Sequence, residues 1–143
     1  MEPFRRILVP LDFSDVSPAV LAMARRLLAP DGRAVVLHVV ETLPLVTGGT
    51  FGVYAHRRDI EELKRLSQEK VAALCHETGD ARLEPVVREG KPAHEIVDAA
   101  REQAAELIVI GRQGRSRLDT LFVGSVTERV LRKASCHVLT VQT

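Results

Sequence analysis

The strongest constraint on the fold is a short apolar run, Ala34 to Val40 (AVVLHVV). It has no polar alternation, and so reads as a strand covered on both faces. Leu107 to Ile110 (LIVI) is a second run of the same kind. Weaker strand signals stand at Ile7 to Leu11, Leu83 to Arg88 and His137 to Val141. The segments between them carry apolar residues at helical spacing: 16, 20, 24, 27 and 28; then 60, 63, 71 and 74; then 93, 96, 97, 100 and 104; finally 126, 130 and 131. A βαβαβαβαβ order calls for right-handed crossovers and a parallel sheet between two helical layers. The expected fold is α/β and Rossmann-like, an open five-stranded parallel sheet of order 3-2-1-4-5.

Local signals set the boundaries. Ser17-Pro18 reads as an N-cap followed by proline at the first helical position. Pro30-Asp31-Gly32 is expected to stop that helix, and Gly79 to close the long one that begins near Asp59. Gly90-Lys91-Pro92 turns into the third helix, and Pro85 suggests that its strand lies at a sheet edge. Glu41 to Arg58 has no periodicity and three glycines, so it reads as the longest loop, a lid or interface element.

The 143 residues suit one domain, residues 1–143, with enough chain for a substantial core. A net charge of +1 gives no global reason to expect a nucleic-acid or membrane-surface binder. Cys75 and Cys136 are far apart and fit neither a disulfide framework nor a zinc site. The opening MEPFRRILVPLDFS is too short and too polar in its apolar part for a signal peptide or a membrane span. A cytoplasmic location is expected.

Ligands on such sheets bind beyond the carboxyl ends of the strands, where strand order reverses. Asp12 ends the first strand and Gly111 the fourth, so both flank that point. From Gly111 the chain reads GRQGRSRLDTLFVGSVTERV, with glycines at 111, 114 and 124. Glycine permits positive φ and close backbone approach. A helix opening at Ser125 leaves its first amides unpaired, and with the helix dipole these form an anion site. The hydroxyls of Ser125 and Thr127 can add hydrogen bonds to phosphate oxygens, and Arg112 and Arg115 can offset a triphosphate's charge. On residues alone, an alternative stays open: Gly111 and Gly114 shape a turn, Ser125 caps its helix, and Asp12 is a turn residue. Neither GxxxxGK[ST] nor GxGxxG occurs.

The pattern G-x2-G-x9-G-[ST], met by Gly111, Gly114, Gly124 and Ser125, resembles that of the universal stress protein family in its ATP-binding branch. ILVPLDFSDVS, LHVVE and HVLTV extend the resemblance over essentially the whole chain. It implies a UspA-like domain that binds ATP, or ADP or AMP, with Mg²⁺ held mainly through the phosphates. It also implies a homodimer formed through the last strand, Val138 to Val141. Asp12, beside Pro10 and Leu11, would meet the ribose and adenine end, and Val39 the adenine through its backbone. The phosphate loop would comprise Gly111, Arg112, Gly114, Gly124, Ser125, Val126 and Thr127. Cys136-His137 departs from the Cys-Pro that members often carry before the last strand.

Other constellations are weaker. His94, Glu95 and Asp98 lie within about one helical turn and read as a solvated face, since a metal site collects about four convergent ligands. His38 reads as a packed histidine near the sheet's carboxyl end. No residue stands out to orient an attacking water, and no P-loop lysine is present. The first reading is therefore a nucleotide-responsive regulatory protein with little or no hydrolysis. The alternatives are a slow ATPase or phosphotransferase using the same pocket, and a chaperone-like scaffold dimer.

Overall fold

A computed structural model describes residues 1–42, 57–112 and 123–142. In chain order the elements are β1 (Phe4–Pro10), α1 (Ser17–Leu27), β2 (Leu28–Glu41), α2 (Arg57–Glu77), β3 (Leu83–Gly90), α3 (Pro92–Glu102), β4 (Leu107–Gly111), α4 (Ser125–Lys133) and β5 (His137–Val141). The strands form one sheet in the order β3-β2-β1-β4-β5, and every pair is parallel. The expected loop at 41–58 falls largely outside the described residues. Gly114 and Arg115 lie outside them entirely.

Strand alternation sorts the core into two layers, because successive side chains leave a strand on opposite faces. Ile7, Val9, Ala34, Val36, Leu107 and Val109 pack with Val20, Leu21 and Ala24 of α1 and Val71 and Cys75 of α2. Leu8, Val35, Leu37, Ile108 and Ile110 pack on the other side with Ala93, Ile96, Ala99 and Ala100 of α3 and Val130 of α4. The runs AVVLHVV and LIVI are apolar, His38 apart, because each faces helices on both sides. Each large aliphatic side chain so buried stabilises the fold by about 1.5–3 kcal/mol relative to exposure. Burial also raises the Cys75 thiol above its ordinary range, so it serves as packing rather than as a nucleophile.

Two boundary expectations and one of burial need correction. Ser17 is already inside α1: Val16 is the cap residue, no side chain caps the helix, and Ser17 is buried. The helix ends at Leu27, one residue early, and Leu28 turns extended to pair with Phe4. Pro30-Asp31-Gly32 thus interrupts β2 rather than ending α1, and the register with β1 resumes at Arg6↔Arg33. Gly32 is needed at this irregularity, because a Cβ would lie 2.8 Å from Leu28 Cδ1 and 3.0 Å from the Arg5 carbonyl oxygen. Third, α4 buries Thr127 and Val130, whereas Leu131 is 44% exposed and Val126 half-buried. The inner stripe of this helix is narrower than its apolar composition suggested.

Gly79 closes α2 at φ +67°, as the sequence indicated. β3 is an edge strand, and α2 protects it: Arg57 and Lys64 pair with Glu89, and Gln68 donates to the Pro85 carbonyl. Among the described residues no helix is long and apolar enough to cross a membrane.

At the amino ends of the strands a single carboxylate ties three elements together. Asp80 accepts from Arg25 Nε at 3.1 Å and from Arg82 at 2.6 and 2.9 Å. Arg82 in turn donates to the carbonyls of Leu28 and Ala29 at 3.2 and 3.0 Å. The Asp80 side chain is only 7% exposed, and its hydrogen bonds with Arg82, then with Arg25, hold the carboxyl well below the usual carboxylate range. A depressed folded value means that the stabilisation is complete above the unfolded carboxyl value of about 4 and is lost as pH falls below it. Asp80→Ala should therefore cost about 2–3 kcal/mol at pH 7. The gap to wild type should shrink by pH 3, which urea denaturation at the two pH values would measure.

Candidate functional site

β1 ends at Pro10, whereas β2 continues to Glu41. On its other side β1 pairs with β4 only through Ile7↔Leu107 and Leu8↔Ile108, short of both carboxyl ends. A crevice therefore opens where strand order reverses, as the parallel topology requires. It belongs to a cavity of about 930 Å³, within the size range of small-molecule sites.

On the β1 side the wall is built by Pro10, Leu11, Asp12 and Phe13, facing His38 and Val39 of β2. The Asp12 carboxylate accepts the Ser14 amide at 3.0 Å, an Asx turn that leads the chain out of the sheet. Phe13 takes φ +61°, a left-handed conformation that costs a bulky residue about 1–3 kcal/mol. Contacts on both sides offset that strain. Its ring lies 4.3 Å from the His38 ring at 32°, and Lys70 Nζ of α2 stands 4.9 Å from its centroid.

On the β4 side the wall is made by Ile110, Gly111 and the first turn of α4, Gly124 to Thr127. Backbone bonds define this corner: Arg112 donates to Val141 O at 2.8 Å, and Gly124 to Arg112 O at 2.9 Å. Gly124, not Ser125, is the N-cap, and no side chain caps the helix. The amides of Ser125, Val126 and Thr127 lie in the first turn of α4, ahead of its first intrahelical bond from the Glu128 amide to Gly124 O at 2.9 Å. The Thr127 hydroxyl donates to Gly111 O at 2.7 Å, so its proton braces β4 against α4 rather than pointing at a ligand.

The structure brings Pro10, Leu11, Asp12, Val39, Gly111, Gly124, Ser125, Val126 and Thr127 to one cavity. Arg112 is not on its wall; the guanidinium donates to Gln142 Oε1 beyond β5. Neither Gly111 nor Gly124 adopts positive φ, Gly124 lying at −58°. Neither position therefore needs glycine for its backbone conformation. The sequence reading missed the third wall, where Leu63, Leu66, Ser67 and Lys70 of α2 face the cavity. The periodicity placed Leu63 on the inner stripe with Ile60, Val71 and Leu74, which needs correction: Leu63 is 50% exposed and, with Leu66 at 44%, turns toward the cavity. No cluster of metal-ligating side chains occurs among the described residues. Electrostatically, the site offers main-chain donors at one end and a carboxylate at the other.

The universal stress protein family model matches residues 3–142. The Thermus aquaticus universal stress protein from the QAH/OAS sulfhydrylase 3' region is 33% identical over 140 residues, covering 97% of this chain and 99% of its own. MJ0577 of Methanocaldococcus jannaschii shares the fold with a TM-score of 0.76 at 24% identity, over 97% of this chain and 96% of that one. The universal stress protein from Archaeoglobus fulgidus in complex with dAMP superposes with a TM-score of 0.61 at 27% identity, over 99% and 98% of the two chains. The chain described above belongs to the universal stress protein family.

Proposed function

We propose that this chain binds an adenine nucleotide, ATP foremost with ADP and AMP as alternatives, and works as a nucleotide-responsive regulatory protein in stress resistance. One observation carries the reading: a single cavity has an uncapped helix start at one end and a turn-held carboxylate beside a strand terminus at the other. The dAMP complex of the Archaeoglobus fulgidus relative supports an adenine nucleotide as ligand class.

The amides of Ser125, Val126 and Thr127, together with the dipole of α4, would hold phosphate oxygens, with the Ser125 hydroxyl as a further donor. Gly111 and Gly124 leave room for that approach, and Gly114 would complete the loop. Arg112 and Arg115 would offset phosphate charge, Arg112 by exchanging its Gln142 partner. Asp12 would accept from the ribose hydroxyls above Pro10 and Leu11, and the Val39 backbone would meet the base. Mg²⁺ would enter with the nucleotide, held mainly by its phosphates and neutralising their charge.

Hydrolysis needs a group that orients water against the transferred phosphorus. At the phosphate end the described wall offers amides and two hydroxyls, one already bonded to Gly111. β5 has an unpaired outer edge among the described residues, and a second copy adding there along Val138 to Val141 would complete a cytoplasmic homodimer.

Three outcomes follow. Gly124 sits at φ −58°, ψ 150°, where valine is unstrained, so Gly124→Val should leave the far-ultraviolet circular dichroism unchanged. Its ATP affinity by equilibrium dialysis should fall at least about ten-fold; wild-type affinity in this variant would overturn the backbone cradle. Steady-state ADP release should stay below about one per second, the lower end of ordinary enzyme turnover. Sedimentation equilibrium should give twice the chain mass; a monomer at all concentrations would remove the edge-pairing assignment.

A further inference from the structure

The β1–β2 ladder ends with a substitution of partners at Leu11. In a parallel pair, one residue bonds through both its amide and its carbonyl to the same neighbouring strand, and the next residue bonds to the other. Ala34 and Thr42, near the two ends of the β2–β3 ladder, donate to Arg82 and Gly90 on the β3 side. Even-numbered β2 residues thus face β3 across the regular register from Ala34 to Glu41, and odd-numbered ones face β1. Leu37 follows this rule, accepting the Leu11 amide at 2.8 Å. The next rung would be the Val39 amide donating to the Leu11 carbonyl. No such bond exists. Instead the Leu11 carbonyl oxygen lies 2.8 Å from Nδ1 of His38. A carbonyl only accepts, so Nδ1 carries the proton and donates. The ring of Phe13 against the imidazole holds it in that pose.

We propose that His38 is a positioning residue of the nucleotide site, a side-chain surrogate for the last ladder donor. By satisfying Leu11, it keeps the amide and carbonyl of Val39 for the edge of a base. By touching Leu11 and Phe13, it also fixes both neighbours of Asp12. The inference rests on the nucleotide reading above and adds a selectivity it does not contain. Val39 offers N–H and C=O side by side, complementary to the acceptor N1 and the amino group of adenine. Hypoxanthine, with N1–H and a carbonyl, presents the reverse pattern.

Two measurements test this, one of them without ligand. In the ligand-free wild type the Val39 amide should exchange with solvent faster than its ladder neighbour Leu37, and ATP should protect it. In His38→Leu, Val39 should take over the Leu11 carbonyl and be protected before any nucleotide is added. The ratio of ATP to ITP affinity should then fall about ten-fold, the loss of one well-made hydrogen bond. His38→Asn, whose side-chain amide reproduces the Nδ1 donor, should keep both the wild-type exchange pattern and most of the selectivity. It also serves if the leucine variant folds poorly. A Val39 amide already protected in the ligand-free wild type would overturn the assignment. So would a His38→Leu protein that binds ATP and ITP more weakly by the same factor, or an asparagine variant that behaves like leucine. If the wild type takes up no adenylate, the nucleotide reading fails and this assignment with it. Uptake with unaltered selectivity in His38→Leu removes this assignment alone.

Discussion

The site exists because the central strand is shorter than its neighbour. β1 leaves the sheet at Pro10 while β2 continues to Glu41, and the pairing of β1 with β4 ends before either strand does. Parallel strands in a doubly wound sheet must send their connections to opposite faces at one place, and the gap between those connections cannot be closed by the ladder itself. Among the described residues, all those assigned to ligand binding except Arg112 lie around that gap. The two-layer core, with Leu8, Val9, Val36, Ile108 and Val109 almost wholly inaccessible, holds the gap's margins in register. A loosely packed sheet could not keep Asp12 and the start of α4 at a constant separation.

Individual contacts brace the margins further. Thr127 is among the few buried polar residues, and its hydroxyl binds β4 to α4 beneath the helix opening. Phe13 is strained but clasped between His38 and Lys70. Such pre-set geometry means that little of a ligand's binding energy goes into ordering the wall.

Much of this could be read in the residues. The alternation of strand and helix signals pointed to a parallel sheet, and two nearly continuous apolar runs, which require cover on both faces, supported it. Gly111, Gly124 and Ser125 marked one side of the cavity, and Asp12 the other. What could not be read depends on tertiary choices. Ser17 and Ser125 look like caps, yet each stands one position inside its helix, since a cap depends on the φ and ψ of the preceding residue. Pro30-Asp31-Gly32 signals a break without saying which element it breaks. His38 sits in a strand of valines and reads as packing; only the register shows that its ring stands where an amide belongs. The α2 wall was hidden because Leu63 fits the spacing of the buried stripe and Leu66 resembles ordinary surface scatter.

The Asp80 cluster joins the end of α1 and the starts of β2 and β3, all at the amino ends of the strands, a full strand length from the crevice. Cohesion and recognition are thereby assigned to opposite poles of the molecule. With no residue shared between the two poles, substitutions around the crevice need not disturb the ion-paired cluster, so descendants of such a chain can vary one without renegotiating the other.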